Sequence, residues 1–126
     1  MAVSVNVAFE EARKIEFDVI VVPGSKIKII EAMIEEKHPL IEFLAEYSHP
    51  PGDSIMLSIC TGALLAAAAG ALKGLRVTTH HLAFDALRQL EPTVDVTSTY
   101  SVRGTRRFID GGRNANGIRI VTIGGK

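Results

Sequence analysis

Ile55-Met56-Leu57-Ser58-Ile59-Cys60-Thr61-Gly62, running on into Ala63-Leu64-Leu65-Ala66-Ala67-Ala68-Ala69, decides the reading of this sequence. An apolar run leads into Cys60 and an alanine-rich run leads out. The pattern is a buried strand turning directly into a helix, with a thiol at the turn. Small residues flank it at Ser58 and Gly62. This is the spacing of a nucleophile elbow, with Cys where hydrolases carry Ser. So sharp a turn crowds the neighbouring backbone and excludes bulky side chains from the flanking positions. Helix N–H groups beside the sulfur favour its thiolate form.

Outward from the elbow, strand and helix patterns alternate. Val3, Val5, Val7 and Phe9 alternate with small or polar residues and predict a half-buried strand. Residues 10–14 form a charged connector. Residues 15–22 read as a strand whose last four positions are continuously apolar, as in a parallel sheet covered on both faces. Pro23-Gly24-Ser25 stops it. Residues 27–47 carry a helical rhythm that Pro39 divides into two helices. Residues 49–53 are a loop. Gly70 or Gly74 ends the alanine-rich helix in a left-handed cap. A short strand over 75–79, a helix over 80–90 and a strand over 94–102 follow. Phe108-Ile109 and residues 118–123 form a hairpin around a Gly/Asn-rich turn. Alternating strands and helices make an α/β fold with helices on both faces of the sheet. Sites in such sheets lie at the carboxyl ends of strands, where Cys60, Gly24 and the His80-His81 pair all fall.

The chain has 126 residues, 47% of them hydrophobic, and no net charge, which fits a single globular domain over residues 1–126. No apolar run reaches the ~20 residues of a membrane span. The N-terminus lacks a signal-peptide pattern, and one cysteine allows neither an internal disulfide nor a cysteine-based zinc cluster. A cytoplasmic protein is expected, with no membrane partner. Zero net charge and the lack of aromatic interleaving argue against nucleic acid. Arg103, Arg106, Arg107, Arg113, Arg119 and Lys126 crowd the last quarter against Asp110 alone. They read as a solvated hairpin face, or as an anion or partner surface. His80 and His81 lack a third ligand at metal-site spacing, so no metal is expected. Gly111-Gly112 and Gly124-Gly125 open no helix and make no dinucleotide fingerprint, so no cofactor is expected.

Three stretches, Phe17-Asp18-Val19-Ile20-Val21-Val22-Pro23-Gly24, Ser58-Ile59-Cys60-Thr61-Gly62-Ala63 and Arg76-Val77-Thr78-Thr79-His80, resemble the ThiJ/PfpI superfamily of class I glutamine-amidotransferase-like domains. Cys-Thr-Gly-Ala followed by Thr-Thr-His is most similar to isonitrile hydratase-like members. Related segments occur in sensor domains of AraC-type regulators. The resemblance implies a flavodoxin-like three-layer sandwich with a mostly parallel sheet. It implies Cys60 as nucleophile, Thr61 as a group that binds the reacting atoms, and His80 as a wall of the site. Gly24, Ser25, Thr61 and His81 would line the oxyanion and substrate pocket. In hydratase members a thiolate attacks the terminal isonitrile carbon, a carboxylic acid supplies a proton, and water releases an N-substituted formamide.

The sequence departs from that pattern at both ends. Family members open with a strand and helix that carry an acid aimed at the cysteine, and they continue past the final Gly-Gly into a long helix. This chain reads as a shortened member or fragment, so the sandwich is expected to be incomplete. The almost continuously apolar residues 118–123 then leave one sheet face bare, or covered in a homo-oligomer. Glu16, Asp18 and Asp53 fall at the amino ends of strands. Asp110 lies in the hairpin, and Asp85 follows His81 by one turn, where it could orient that ring. None is expected to contact Cys60. Two function classes follow. One is a cysteine-dependent hydratase or hydrolase acting on a small electrophile, isonitriles first and glyoxals second. The other is a non-catalytic redox or ligand sensor whose chemistry is oxidation of Cys60.

Overall fold

A computed structural model of the chain describes residues 7–47, 54–97 and 108–124. In chain order its elements are α1 (Phe9–Ala12), β1 (Val19–Val22), α2 (Ile27–Glu35), α3 (Pro39–Glu46), β2 (Ile55–Ile59), α4 (Gly62–Ala68) and β3 (Arg76–Val77). A 3-10 turn (His81–Ala83) then leads into α5 (Phe84–Leu90), β4 (Asp95–Val96), β5 (Phe108–Arg113) and β6 (Arg119–Ile123). The main sheet has the order β1-β2-β6-β5. β2 runs parallel to β1 and β6, and β5 closes the edge antiparallel to β6. β3 and β4 form a separate parallel pair. This is the mostly parallel α/β architecture expected from the elbow.

The alanine-rich helix is the centre of the packing. From Gly62 to Ala67 every residue of α4 is buried. A helix apolar all round must be covered all round. The sheet covers one side, and α2, α3 and α5 cover the others. Its small side chains let those neighbours approach closely, and Leu64, Leu65 and Leu72 fill the gaps. Gly70 ends the helix at φ +78, the left-handed conformation that spares glycine a Cβ clash. Its N–H donates to Ala67 and that of Ala71 to Ala66, which satisfies two terminal carbonyls. At the other end Gly62 is set by contact. A Cβ there would run into the backbone carbonyl of Val22.

Residues of the sheet alternate between two faces. Val22, Met56, Ser58, Ile120 and Thr122 are buried on the side of α4. Register places Val19 beside Ile55, Val21 beside Leu57, Leu57 beside Val121, and Phe108 beside Ile123 on the opposite face. Val19, Val21 and Phe108 are there 49, 51 and 54% exposed, and their neighbours are half-buried. The described residues therefore form two layers. The third layer of the sandwich, helices on the other face, is missing from them, as expected for an incomplete sandwich.

Several boundaries differ from the sequence reading, each for a physical reason. The strand expected over 15–22 begins only at Val19. The N–H of Phe17 donates to the Tyr47 hydroxyl at 2.8 Å, and its carbonyl accepts from Ser54 Oγ at 2.7 Å. Side chains thus take the bonds a strand neighbour would need. Phe9 opens α1 instead of closing a strand, with its ring 5.6 Å from that of Phe43. Residues 1–6, 49–53 and 98–102, part of the same expectations, lie outside the described residues. Pro39 starts α3 as expected, and His38 Nδ1 accepts from the Leu40 N–H. The hairpin forms as expected, but β5 runs on through Gly111 and Gly112 to Arg113, so its Gly/Asn-rich turn is confined to residues 114–118, where Asn114 Oδ1 accepts from the N–H groups of Asn116 and Ile118. No described helix is long and apolar enough to cross a membrane.

Two predictions follow from this packing. Leu64→Ala removes a fully buried side chain from the covered face of α4 and should cost about 2–5 kcal/mol in urea unfolding. Gly70→Ala meets no atom within 4 Å and pays only the left-handed penalty, roughly 1–2 kcal/mol. Gly62→Ala has no such room and should unfold at lower urea than Gly70→Ala; the reverse order would contradict the close approach of β1 to the elbow.

Candidate active site

Four segments meet at the carboxyl edge of the parallel strands. Residues 23–25 leave β1, Cys60 leaves β2, residues 78–80 leave β3, and Gly124 leaves β6. Cys60 sits at φ +55. A non-glycine residue pays roughly 1–2 kcal/mol for that conformation, so its surroundings must hold it there. Its N–H donates to the carbonyl of Ile123 at 2.8 Å. Its carbonyl accepts from the Thr79 hydroxyl at 2.8 Å, and more weakly from the Ala63 N–H at 3.3 Å. Cys60 is half-buried and forms no disulfide.

Thr61 fastens the elbow to the end of β1. Its Oγ1 accepts from the Ser25 N–H at 2.9 Å and donates to the Ser25 carbonyl at 2.7 Å. Gly24 runs so close that a Cβ would lie 2.8 Å from Thr61 Oγ1 and 2.9 Å from the Ile59 carbonyl. Gly24, Ser25, Cys60 and Thr61 are thus brought together as the sequence suggested. The bonds refine what each can offer a ligand. The Thr61 hydroxyl and the Ser25 N–H are spent on each other. The Thr61 backbone N–H makes no hydrogen bond among the described residues.

His80 and His81 follow Thr79 at the same edge. Their rings stack with centroids 4.4 Å apart and an interplanar angle of 27°. His80 Nδ1 accepts from the Leu82 N–H at 3.2 Å and so caps the 3-10 turn. Neither of these contacts of His80 reaches Cys60. Asp85 pairs with Arg88 at 3.2 Å, an exposed ion pair within α5. Asp110 pairs with Arg119 at 3.2 Å and accepts from the Gly112 N–H. Asp18 lies at the far edge, where its carbonyl receives the Ile55 N–H. Asp53 is outside the described residues, as are Arg103, Arg106 and Arg107. Arg113 and Arg119 lie on the hairpin, so the basic cluster is described only in part. Among the described residues no group of three or more His, Cys, Asp or Glu could hold a metal ion.

Sequence reading missed Thr79 and the supports behind it. Thr78 and Thr79 stand in the motif before His80 but read there as ordinary strand residues. Two adjacent threonines at a strand's carboxyl end, level with the elbow, were the available signal. The Thr78 N–H donates to Thr122 Oγ1 at 2.8 Å, and Ser58 pairs with Thr122 in register. Ser58, Thr78 and Thr122 are all buried, so a small polar cluster lies beneath the elbow.

Comparison with known proteins agrees with this fold. No curated protein matches the chain at a significant level. Among solved structures, a "putative protease I" from Bacteroides thetaiotaomicron superposes with a TM-score of 0.61 at 18% identity, over 93% of this chain and 57% of that one. An AraC family transcriptional regulator from Pseudomonas putida superposes with a TM-score of 0.51 at 12% identity, over 97% of this chain and 54% of that one. The chain therefore spans little more than half the length of either. At such identities the likeness is one of fold. Sequence carries it further: the model of the DJ-1/PfpI family matches residues 1–111, and the chain belongs to that family.

Proposed function

We propose that this chain carries a cysteine-dependent hydratase or hydrolase site for a small electrophile, with isonitriles as the first substrate class and glyoxals second. The observation that supports it is the backbone of Cys60, held at φ +55 at the carboxyl edge of the sheet. Strain of this kind is kept where a turn must present one side chain outward. The thiolate sulfur bonds to the terminal isonitrile carbon, and that carbon takes up a proton. Water then adds to the same carbon. The C–S bond breaks, an N-substituted formamide leaves, and the thiolate is regenerated. One water is consumed per isonitrile. The Thr61 N–H, unbonded among the described residues, adjoins Cys60 in the chain and lies beside Gly24, and developing negative charge is best met by unpaired donors of this kind.

A second reading has an observation of its own. Asp85 and Asp110 are paired with Arg88 and Arg119, and no described hydrogen bond or ion pair joins either to Cys60. In a hydratase that uses neither, the proton comes from solvent. In the alternative, Cys60 is a sensing thiol, oxidised by peroxide to a sulfenic acid that thiols reduce.

The purified chain should convert an alkyl isonitrile into its formamide, and Cys60→Ala and Cys60→Ser should fall to the buffer background. Turnover that survives Cys60→Ala ends this reading. A wild-type chain with no turnover but a reversible Cys60 sulfenic acid selects the sensor. Cys60→Gly should be about 1 kcal/mol more stable than Cys60→Ala in thermal unfolding, because glycine adopts the left-handed conformation freely.

A further inference from the structure

Cys60 is tied to β6 by two routes. The direct one is its N–H on the Ile123 carbonyl. The indirect one runs from Thr122 Oγ1 to the Thr78 N–H, and from the Thr79 hydroxyl to the Cys60 carbonyl, each bond 2.8 Å long. The direction of the last bond is fixed, because a carbonyl has no proton to give. Thr79 is 1% exposed, so water does not compete for the bond. A peptide unit is planar and trans, so the Cys60 carbonyl and the Thr61 N–H point in opposite directions. Whatever fixes one aims the other.

We propose that Thr79 is a positioning residue for the elbow: its hydroxyl holds the Cys60–Thr61 peptide in the orientation that presents the thiol and the Thr61 N–H to substrate. This rests on the reading of Cys60 as a nucleophile and extends it to a residue that touches no reacting atom. The neighbouring threonine provides an internal control. Thr78 is fully buried, yet its Oγ1 makes no hydrogen bond among the described residues. It contributes through its backbone N–H, which valine keeps. Two adjacent buried threonines thus differ in the feature at issue.

The test is the rate of Cys60 alkylation by iodoacetamide, assigned by peptide mass spectrometry, alongside kcat and KM for isonitrile hydration. Loss of one buried hydrogen bond predicts that Thr79→Val slows alkylation about tenfold and lowers kcat by a similar factor, with KM within about twofold. Thr79→Ser should restore most of both rates. Thr78→Val should alkylate within about twofold of wild type, since no bonded hydroxyl is lost. Alkylation of Thr79→Val at or above the wild-type rate overturns the proposal, as does an equal effect of Thr78→Val. Where circular dichroism shows Thr79→Val unfolded, Thr79→Ser against Thr79→Ala reads the same hydroxyl in two side chains that both lack the methyl. Equal rates in that pair overturn the proposal. Alkylation needs no substrate. A chain that hydrates no isonitrile therefore refutes the proposed reaction, while the labelling still decides the role of Thr79. A wild-type Cys60 that iodoacetamide fails to label overturns both.

Discussion

Everything at the carboxyl edge of this sheet depends on keeping one non-glycine backbone, that of Cys60, in the left-handed region. The chain has no intrinsic reason to stay there, and the penalty is of the same order as one or two net hydrogen bonds. Three segments supply the restraint. β6 takes the Cys60 N–H, the segment after β3 takes its carbonyl, and the segment after β1 is locked to Thr61. Glycine at 24 and 62 is what lets these backbones come close enough. The strain and its supports form one unit, distributed over segments far apart in sequence that meet at one edge.

The same sheet is asymmetric across its plane. One face is sealed by α4, whose small side chains let α2, α3 and α5 close around it. The other presents Val19, Val21 and Phe108 to solvent among half-buried apolar neighbours. An apolar face of this kind is normally covered in a three-layer α/β fold. The chain spans little more than half the length of the two structures it superposes on.

The elbow was legible because chemistry there restricts residue type twice, through the thiol and through the small flanking residues. Pro39 and Gly70 were legible for a similar reason, since each answers a local backbone demand. Bonds between distant segments were not legible. Nothing near Phe17 announces that Tyr47 and Ser54 will take its peptide groups and delay β1. The family resemblance implied Thr61 as a group that binds the reacting atoms. Only the fold shows its hydroxyl spent on Ser25. Thr79 passed as a strand residue because its partner lies in another segment.

The position of β6 has a consequence for how the molecule is made. It lies directly against β2, yet α4, β3, α5, β4 and β5 separate the two along the chain. Parallel pairing between such distant strands closes a long loop and is a slow step in folding. Until β6 docks, the Cys60 N–H has no Ile123 carbonyl to meet, and Thr78 has no Thr122. The turn bearing the sulfur is therefore complete only once β6 is in place, so the last central strand to be made is also the one that finishes the site.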